Sequence, residues 1–395
     1  MNNFYWLPSI KIQGYRPFRD IKFKFETLEV MVGSNGSGKS SLFEFLRFLR
    51  DACYQEIPPE IIAGSIGQQL FHKPGPDKFG WSAEIDLKQN TPLSYQGELM
   101  GPVGSTQVVF EKVSANDITR AHSGQKFPFV FLNFQNGKGE VNDPEEPNFK
   151  RKEWDLKKKN QLALGSITDP TLITLFNLRE YIRGWRFYNA FNIDNEKIRR
   201  PVSTSQDPVL NEDAGNLSAV LFYLMTEHPF VFNELKSMIK SAIPGFKHLT
   251  VKARGGPGQV IAFWGEENIE AELSLADLSD GTLRFIAWAT LCIMPSPPTL
   301  ICIDEPDQGV HPRTLPILAG LFEKASSKTQ LILATHSSYF LTQFELTNIG
   351  VMKKVHGESR YVKVCDSKSL LANLQEFGIA ELELMHRNDE MEALI

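Results

Sequence analysis

The sequence lacks long hydrophobic runs, which excludes a membrane-spanning helix. None of its apolar stretches approaches about 18 consecutive residues, the shortest length that crosses a bilayer as a helix. The first residues have neither the basic start nor the apolar stretch of a secretory signal peptide. We therefore expect a soluble cytoplasmic protein that has no contact with a membrane.

Cysteine is scarce and the net charge is small. Among 395 residues there are four cysteines, and none of them forms a CxxC pair. Cys292 and Cys302 lie in apolar runs, where a thiol packs as a small hydrophobic group, and this fits a reduced, cytosolic protein. The formal net charge of −5 argues against a protein that holds nucleic acid over its whole surface, but it allows a local basic face.

Internal repeats and sustained heptads are absent, which excludes a long coiled coil. Strand patterns are present in their place. Residues 9–32 show period-two alternation, in which Phe23 and Phe25 alternate with Lys22 and Lys24. Residues 80–135 indicate further strands with turns between them.

In the remainder of the chain the composition and the predicted secondary structure change twice. Residues 136–160 are polar and charged and indicate an exposed excursion, whereas 170–243 have the spacing of helices. From about 248 onward strands resume and then alternate with helices, which predicts a parallel sheet with helical crossovers. The predicted fold class is α/β, with a mixed-sheet core, an antiparallel N-terminal β portion and a helical insertion. We divide the chain into lobe I (1–135), the insertion (136–247) and lobe II (248–395).

A phosphate-binding loop is the most specific motif. The string GSNGSGKS at 33–40 fits GxxxxGK[ST] without a mismatch, between an apolar strand and a helix. Its glycines would let backbone N–H groups surround a β-phosphate at the positive end of the helix. Lys39 would neutralise the β- and γ-phosphates, and the Ser40 hydroxyl would ligate Mg²⁺. The predicted ATP-binding residues of this loop are Gly33, Ser34, Asn35, Gly36, Ser37, Gly38, Lys39, Ser40 and Ser41.

A second motif places two carboxylates at the end of a buried strand. The string LICIDE at 300–305 is an apolar strand that suits the middle of a parallel sheet, and ligands bind at the carboxyl ends of such strands. Asp304 would hold the Mg²⁺ ion together with Ser40. Glu305 would polarise the attacking water as a general base.

Two further motifs lie at the start of a predicted helix and at the end of a predicted strand. The string LSDGT at 278–282 precedes a helical pattern, where Ser279 can cap the helix and Gly281 lets an anion approach its N–H groups. The string ATHS at 334–337 ends the next apolar strand. His336 should therefore face the same edge as Asp304.

The four motifs, in this order, resemble those of ABC ATPases. In this resemblance LSDGT corresponds to the LSGGQ signature, and His336 to the switch histidine that reads the γ-phosphate. The string EPDQGVHP at 305–312 resembles the D-loop that crosses the dimer interface, with Asp307 as its candidate residue. No NKxD string specifies guanine, which argues against a GTPase. The resemblance implies ATP and Mg²⁺ as cofactors and a catalytic set of Lys39, Glu305 and His336.

Within ABC ATPases the chain resembles the RecF and SMC class. The string IKIQGYRPF at 10–18 looks like the first strand and turn of that class, which implies that Arg16 helps to hold adenine. The roughly 240 residues between Lys39 and Ser279 exceed a transporter's helical subdomain yet lack a coiled coil, so a compact RecF-like head is expected. Gln68 and Gln69 are the candidates for the Q-loop glutamine.

The chain also resembles compact bacterial AAA-type ATPases encoded beside effector or nuclease-like partners in anti-phage defence. The strings LREY at 178–181, GWRFY at 184–188 and DLSDGTLRF at 277–285 carry this resemblance. It implies a homo-oligomer formed through ATP-sandwiched heads and a separately encoded effector.

Two functions stay open. In the first, ATP gates a switch that acts on DNA or a DNA-associated partner, as in RecF-type repair. In the second, the protein is a scaffold that uses ATP to assemble and cage a toxic effector with little turnover. Residues 150–159 contain six basic residues against two acidic ones. If they contact DNA, binding should weaken steeply with salt, with a log–log slope of roughly −5.

Overall fold

The computed structural model describes residues 4–54, 56–57, 70–88, 92–101, 106–115, 128–142, 152–190, 197–377, 385–386 and 391. The chain divides into two compact units. Unit 1 comprises Met1–Trp185 and Leu346–Ile395, and unit 2 comprises Arg186–Glu345. The predicted lobes have other boundaries and remain a prediction.

An antiparallel sheet makes up much of unit 1. Its strand order is β2-β1-β4-β5-β6-β7-β8-β9, and the neighbouring pairs run antiparallel throughout. This confirms the strands expected at 9–32 and 80–135. The strands of unit 1, including those of a second sheet, are β1 (Trp6–Tyr15), β2 (Phe18–Lys24), β3 (Leu28–Val32), β4 (Lys78–Asp86), β5 (Leu93–Met100), β6 (Gln107–Ala115), β7 (Phe129–Gln135), β8 (Lys138–Val141), β9 (Lys152–Asp155), β17 (Ile349–Val355) and β18 (Glu358–Lys363).

The helix that follows the phosphate loop packs on this sheet through aromatic side chains. In α1 (Lys39–Ala52) an apolar face is buried. Phe45 and Phe48 contact the rings of Phe79 and Trp81 on β4, with centroids 5.5 to 6.3 Å apart. Such ring contacts contribute beyond the area that they bury, so they fix the direction in which α1 leaves the loop. The other helices of unit 1 are α2 (Ala163–Ser166), α3 (Ile173–Arg183) and α9 (Lys368–Phe377).

A buried charged group ties the second sheet of unit 1 together. Strand β17 pairs parallel with β3 and antiparallel with β18. The Glu29 carboxylate on β3 accepts hydrogen bonds from Lys363 Nζ at 2.6 Å and the Tyr361 hydroxyl at 2.5 Å, both on β18. A Cβ on Gly350 of the intervening strand would lie 2.5 Å from the Tyr361 oxygen, so only glycine leaves room for this contact. Burial raises the pKa of Glu29 to about 7, with Lys363 opposing the shift.

The sheet continues where the sequence predicted an exposed excursion. Asn136 (φ 51°) and Gly137 (φ 82°) both have positive φ, as in the two-residue turn typical of Asn-Gly hairpins, and they connect β7 to β8. Strand β9 then pairs with β8. The predicted excursion from the core is therefore wrong in that 136–142 and 152–155 continue the sheet, because the polar Asn-Gly pair marks a tight turn and not the end of the sheet. The predicted exposure is confirmed for Lys152, Glu153 and Asp155. Residues 143–151 lie outside the described part.

Unit 2 contains a small antiparallel sheet and a parallel strand pair. In the small sheet the order is β11-β13-β12, and β14 pairs with β13. The parallel pair β15–β16 has Asp304 opposite Ala334. The strands are β10 (Trp185–Asn189, beginning at the last residue of unit 1), β11 (Val202–Ser203), β12 (Phe246–Ala253), β13 (Gln259–Glu266), β14 (Leu273–Ser274), β15 (Leu300–Asp304) and β16 (Gln330–Ala334).

The helices of unit 2 confirm most of the expected pattern. Strands β15 and β16 alternate with helices as predicted, which confirms the parallel arrangement. The helical prediction for 170–243 is wrong at β10 and β11. The aromatic-rich sequence WRFYN of β10 has strand propensity and lies beside β15, and β11 pairs with β13. The helices are α4 (Leu217–Glu227), α5 (Pro229–Ala242), α6 (Asp280–Ile293), α7 (Leu315–Ala325) and α8 (Ser338–Leu341).

Helix length bears on two predictions. The longest helices in the described ranges have 14 residues, so no long coiled coil occurs there. No helix among the described residues is sufficiently long and apolar to span a bilayer. The predicted α/β class, with mixed sheets and several helices, is confirmed.

Candidate nucleotide-binding site

The backbone of the phosphate loop of unit 1 is shaped by three glycines. Gly33, Gly36 and Gly38 have φ angles of 150°, 77° and 116°, which L side chains rarely adopt. A Cβ on Gly33 would lie 2.0 Å from the carbonyl oxygen of Met352. The Ser37 N–H donates to the Ser34 carbonyl at 3.2 Å and closes the turn. The loop is thus a narrow cradle of backbone groups at the start of α1.

Lys39 lies inside this cradle. Its side chain is 5% exposed, and Nζ donates to the carbonyl oxygens of Gly33 at 2.6 Å and Ser34 at 3.2 Å. Asn35, Gly36 and Ser40 are exposed beside it. A buried ammonium beside exposed loop residues and the Ser40 side chain suits a polyphosphate with its Mg²⁺ ion. The residues present therefore fit ATP·Mg²⁺.

A serine on β18 that belongs to no recognisable motif contacts the loop. The Ser359 hydroxyl donates to the Ser37 carbonyl at 2.5 Å. A Cβ on Gly38 would lie 2.8 Å from the Ser359 oxygen and 2.9 Å from the Phe18 ring. Because 322 residues separate Ser37 from Ser359, no local sequence pattern could have indicated the contact.

Arg16 lies at the turn between β1 and β2, with a positive φ of 46°. Its guanidinium pairs with Glu44 on α1 and lies 5.6 Å from the centroid of the Tyr15 ring. The backbone N–H of Arg16 donates to the Leu70 carbonyl at 3.0 Å. The predicted contact of Arg16 with adenine stays a prediction, and the ion pair shows that its guanidinium already has an anionic neighbour.

In unit 2 the two predicted carboxylates follow one another at the end of β15. Asp304 closes the strand, and Glu305 has a positive φ of 53°, a backbone conformation that costs a non-glycine residue about 1–3 kcal/mol. The Glu305 N–H donates to the Ala334 carbonyl at 2.8 Å, which stabilises this conformation. Strained residues of this kind cluster at functional sites.

The loop after Glu305 is joined to the loop that carries His336. Asp307 accepts a hydrogen bond of 2.6 Å from the Thr335 hydroxyl, and the Ser337 N–H donates to the same hydroxyl at 3.0 Å. His336 itself is exposed, next to the buried end of β16. The structure therefore brings Asp304, Glu305, Asp307 and His336 to the carboxyl ends of two adjacent parallel strands, as the spacing predicted.

The signature string lies at the start of α6. The Ser279 hydroxyl accepts from the Thr282 N–H at 3.3 Å, which confirms the predicted N-cap. A Cβ on Gly281 would lie 2.7 Å from the Gly309 carbonyl oxygen, so the helix start and the loop after β15 are in backbone contact. A cavity of about 700 Å³ opens beside them, lined by Ser279, Gly281, Phe285, Gly309, His311 and Arg313, among others.

An arginine missed by the sequence reasoning holds the signature string. Arg199 Nη1 donates to the carbonyl oxygens of Ala276 at 2.7 Å and Leu278 at 3.0 Å, and Nη2 donates to Asp280 Oδ1 at 2.6 Å. Arg199 is 81 residues from Asp280 and stands in a turn with no recognisable motif. Only the fold brings it to the site.

The predicted site residues are distributed over both units. Unit 1 contains Arg16 and the loop 33–41, whereas unit 2 contains the residues of the signature, the carboxylate pair, the D-loop and the switch. The Q-loop candidates Gln68 and Gln69 lie outside the described residues. Among the residues that the structure describes, no group of three or more His, Cys, Asp or Glu side chains could hold a metal.

Comparison with known structures shows the fold. An Smc head bound to the C-terminal winged-helix domain of ScpA has a TM-score of 0.55 at 11% identity, covering 90% of this chain and 97% of that one. An Smc head with an extended coiled coil, bound to the C-terminal domain of ScpA from Pyrococcus furiosus, has a TM-score of 0.54 at 10% identity, covering 94% and 100%. Among curated proteins, none is significantly similar in sequence.

Two family models match the sequence. The model for an AAA ATPase domain matches residues 7–169, which include the phosphate loop. A second model, described as "AAA domain, putative AbiEii toxin, Type IV TA system", matches residues 142–342, about half of the chain, including the signature string, the carboxylate pair and His336. The family models indicate an AAA ATPase domain, and the solved structures show that its fold is similar to that of Smc heads. The chain therefore belongs to the family of AAA domains described as putative AbiEii toxin, Type IV TA system.

Proposed function

We propose that this protein binds and hydrolyses ATP with Mg²⁺, and that ATP closes two copies of the chain into a dimer. The observation that carries the proposal is the cradle of the phosphate loop, in which the buried ammonium of Lys39 lies against backbone that only glycine can form. A bound Mg²⁺ ion would supply charge neutralisation at the β- and γ-phosphates. Ser40 and Asp304 would hold it.

In the catalytic step, Glu305 would accept a proton from the attacking water, and His336 would contact the γ-phosphate. The strained Glu305 backbone and its hydrogen bond to Ala334 support this assignment, because they fix the direction in which the carboxylate leaves the sheet. Lys39 would stabilise the charge that develops on the phosphoryl oxygens.

Dimer closure would place the signature string of one copy on the nucleotide of the other. The capped start of α6 presents backbone N–H groups beside an open cavity, and such a helix end favours an anion. Asp307 would lie at the same interface. Arg16 would lie near the adenine of the nucleotide held by its own chain.

We further propose a protein partner for the dimer, an effector or nuclease-like protein that acts in anti-phage defence. The Smc heads of similar fold are described with a domain of ScpA bound, so a head of this kind can carry a second protein. Within the basic cluster 150–159, Lys158 pairs with Glu56 and Asp155 pairs with Lys138, so part of its charge is met within the chain, and DNA is the alternative partner.

Glu305→Gln tests the ATP-gated dimer. Without the base, hydrolysis should slow by a factor on the order of 10² or more, while ATP stays bound. Light scattering should then show a doubled mass in ATP and Mg²⁺ but not in ADP. Glu323→Gln on α7, an exposed carboxylate in the same unit, serves as the matched control. An unchanged mass with and without ATP would contradict ATP-gated closure.

A further inference from the structure

The signature string of this chain contains a negative charge at the place where an anion is expected to bind. Asp280 is the first residue of α6, directly after the cap Ser279, and its side chain is half exposed. A carboxylate in this position is stabilised by the helix end, as a phosphate would be. The two anions therefore compete for the same field and repel one another.

Arg199 compensates for that charge. Its Nη2 donates to Asp280 Oδ1 at 2.6 Å, and the side chain is 24% exposed, so the pair lies partly out of water. The other nitrogen, Nη1, donates to the carbonyl of Ala276, within the 3₁₀ turn before the cap, and to that of Leu278, directly before Ser279. The rigid guanidinium fork thus joins the backbone before Ser279 to the carboxylate after it.

We propose that Arg199 is a positioning residue for the signature string. Its positive charge compensates that of the Asp280 carboxylate and holds this side chain to one side. The start of α6 can then bind the γ-phosphate of the ATP held by a second copy. This inference rests on the proposed dimer function. Charge compensation is the central element of this proposal. The hydrogen bonds from Arg199 to the carbonyls of Ala276 and Leu278 would not by themselves make the start of α6 more favourable to an anion. The neighbouring Lys197 pairs with Asp213 and not with the signature string.

The test is a double-mutant comparison of steady-state ATP hydrolysis. Arg199→Gln keeps an N–H donor but removes the charge, and it should lower kcat/KM about tenfold, equivalent to about 1.4 kcal/mol. Adding Asp280→Asn should restore most of that loss, because the uncompensated carboxylate is then gone. Lys197→Ala, which removes a positive charge from the same segment, should behave like the wild type.

Salt provides an independent readout. The deficit of Arg199→Gln should shrink as ionic strength rises, since salt screens repulsion between partly exposed charges. A purely structural defect would not respond to salt, nor would Asp280→Asn relieve it. If Arg199→Gln does not fold, as judged by thermal melting, Arg199→Lys replaces it. Lysine lacks the fork but keeps the positive charge beside Asp280, so its kcat/KM should stay within about threefold of the wild type.

Three results would overturn the inference: full activity of Arg199→Gln, no recovery on adding Asp280→Asn, or a tenfold loss in Arg199→Lys. Failure of the proposed function looks different. In that case the wild-type rate would not depend on protein concentration, and Ser279→Arg would be active by itself. If the wild type passes those checks and the double variant does not recover, only the role of Arg199 fails.

Discussion

The hydroxyl of Thr335 donates a hydrogen bond of 2.6 Å to Oδ1 of Asp307, across 28 residues of sequence. Thr335 is fully buried, and its oxygen also accepts the N–H of Ser337. One hydroxyl therefore connects the D-loop to the segment that carries His336. If the D-loop senses a second copy of the chain, as proposed, this bond is a direct route from that interface to the switch histidine.

Thr335→Val should break the connection and leave the shape of the side chain nearly unchanged. We expect kcat for ATP to fall severalfold with little change in KM, because the segment that carries His336 would no longer be held against the D-loop. The free energy of unfolding should fall by about 1–3 kcal/mol, since the Asp307 carboxylate and the Ser337 N–H lose a partner. Steady-state kinetics and urea unfolding measure the two effects.

Thr335→Ser is the matched control for that change, because it keeps the hydroxyl and loses only a methyl group. Its kcat should stay close to that of the wild type. A kcat in Thr335→Val equal to that of Thr335→Ser would show that the bond to Asp307 has no part in catalysis.

Lys39→Ala should abolish tight ATP binding. The variant removes the ammonium that the loop holds beside the carbonyls of Gly33 and Ser34, and with it the charge that faces the phosphates. Titration calorimetry with ATP and Mg²⁺ measures the loss. Lys11→Ala, which removes a partly exposed lysine paired with Asp20 in the same unit, should bind normally. Near-normal affinity of Lys39→Ala would show that the site is elsewhere.

The sequence was most informative where function and local structure depend on the same few residues. The string at 33–40 requires glycines for its backbone and Lys39 for its charge, so its pattern predicts both the turn and the ligand. The strands β15 and β16 are apolar on both sides because both faces are covered, which distinguishes them from the alternating strands of the antiparallel sheet.

Contacts between distant segments could not be predicted in this way. Arg199 reaches Asp280, and Ser359 reaches Ser37, only because the fold brings their strands and turns together. The error at Asn136 has another cause. A polar Asn-Gly pair occurs both in loops and in tight hairpin turns, and only the pairing of the flanking strands distinguishes the two.

Buried Glu111 makes the stability of unit 1 depend on pH. Its carboxylate accepts hydrogen bonds from the Tyr95 hydroxyl at 3.0 Å and from the backbone N–H groups of Ala163 and Leu164, at the start of α2. Burial nevertheless raises the pKa of Glu111 from 4.5 to about 7, because desolvation outweighs these bonds.

The raised pKa of Glu111 determines the sign of the effect. Between pH 4.5 and 7 the folded chain holds a proton that the unfolded chain has released, so the free energy of unfolding falls as pH rises. The free energy of unfolding of the wild type, minus that of Glu111→Gln, should therefore decrease by about 3 kcal/mol from pH 4.5 to 7, at about 1.4 kcal/mol per pKa unit. Urea unfolding at several pH values measures it. A difference that is constant with pH would contradict the raised pKa.

The most direct test of the account is a mixture of Ser279→Arg and Lys39→Ala. Each variant damages a different half of a shared site, and a mixed dimer keeps one site in which the phosphate loop and the signature are both intact. We predict that neither variant hydrolyses ATP alone and that the mixture recovers part of the wild-type rate. Rapid hydrolysis by Ser279→Arg alone, at a rate independent of protein concentration, would contradict the account, because catalysis would then occur within a single chain.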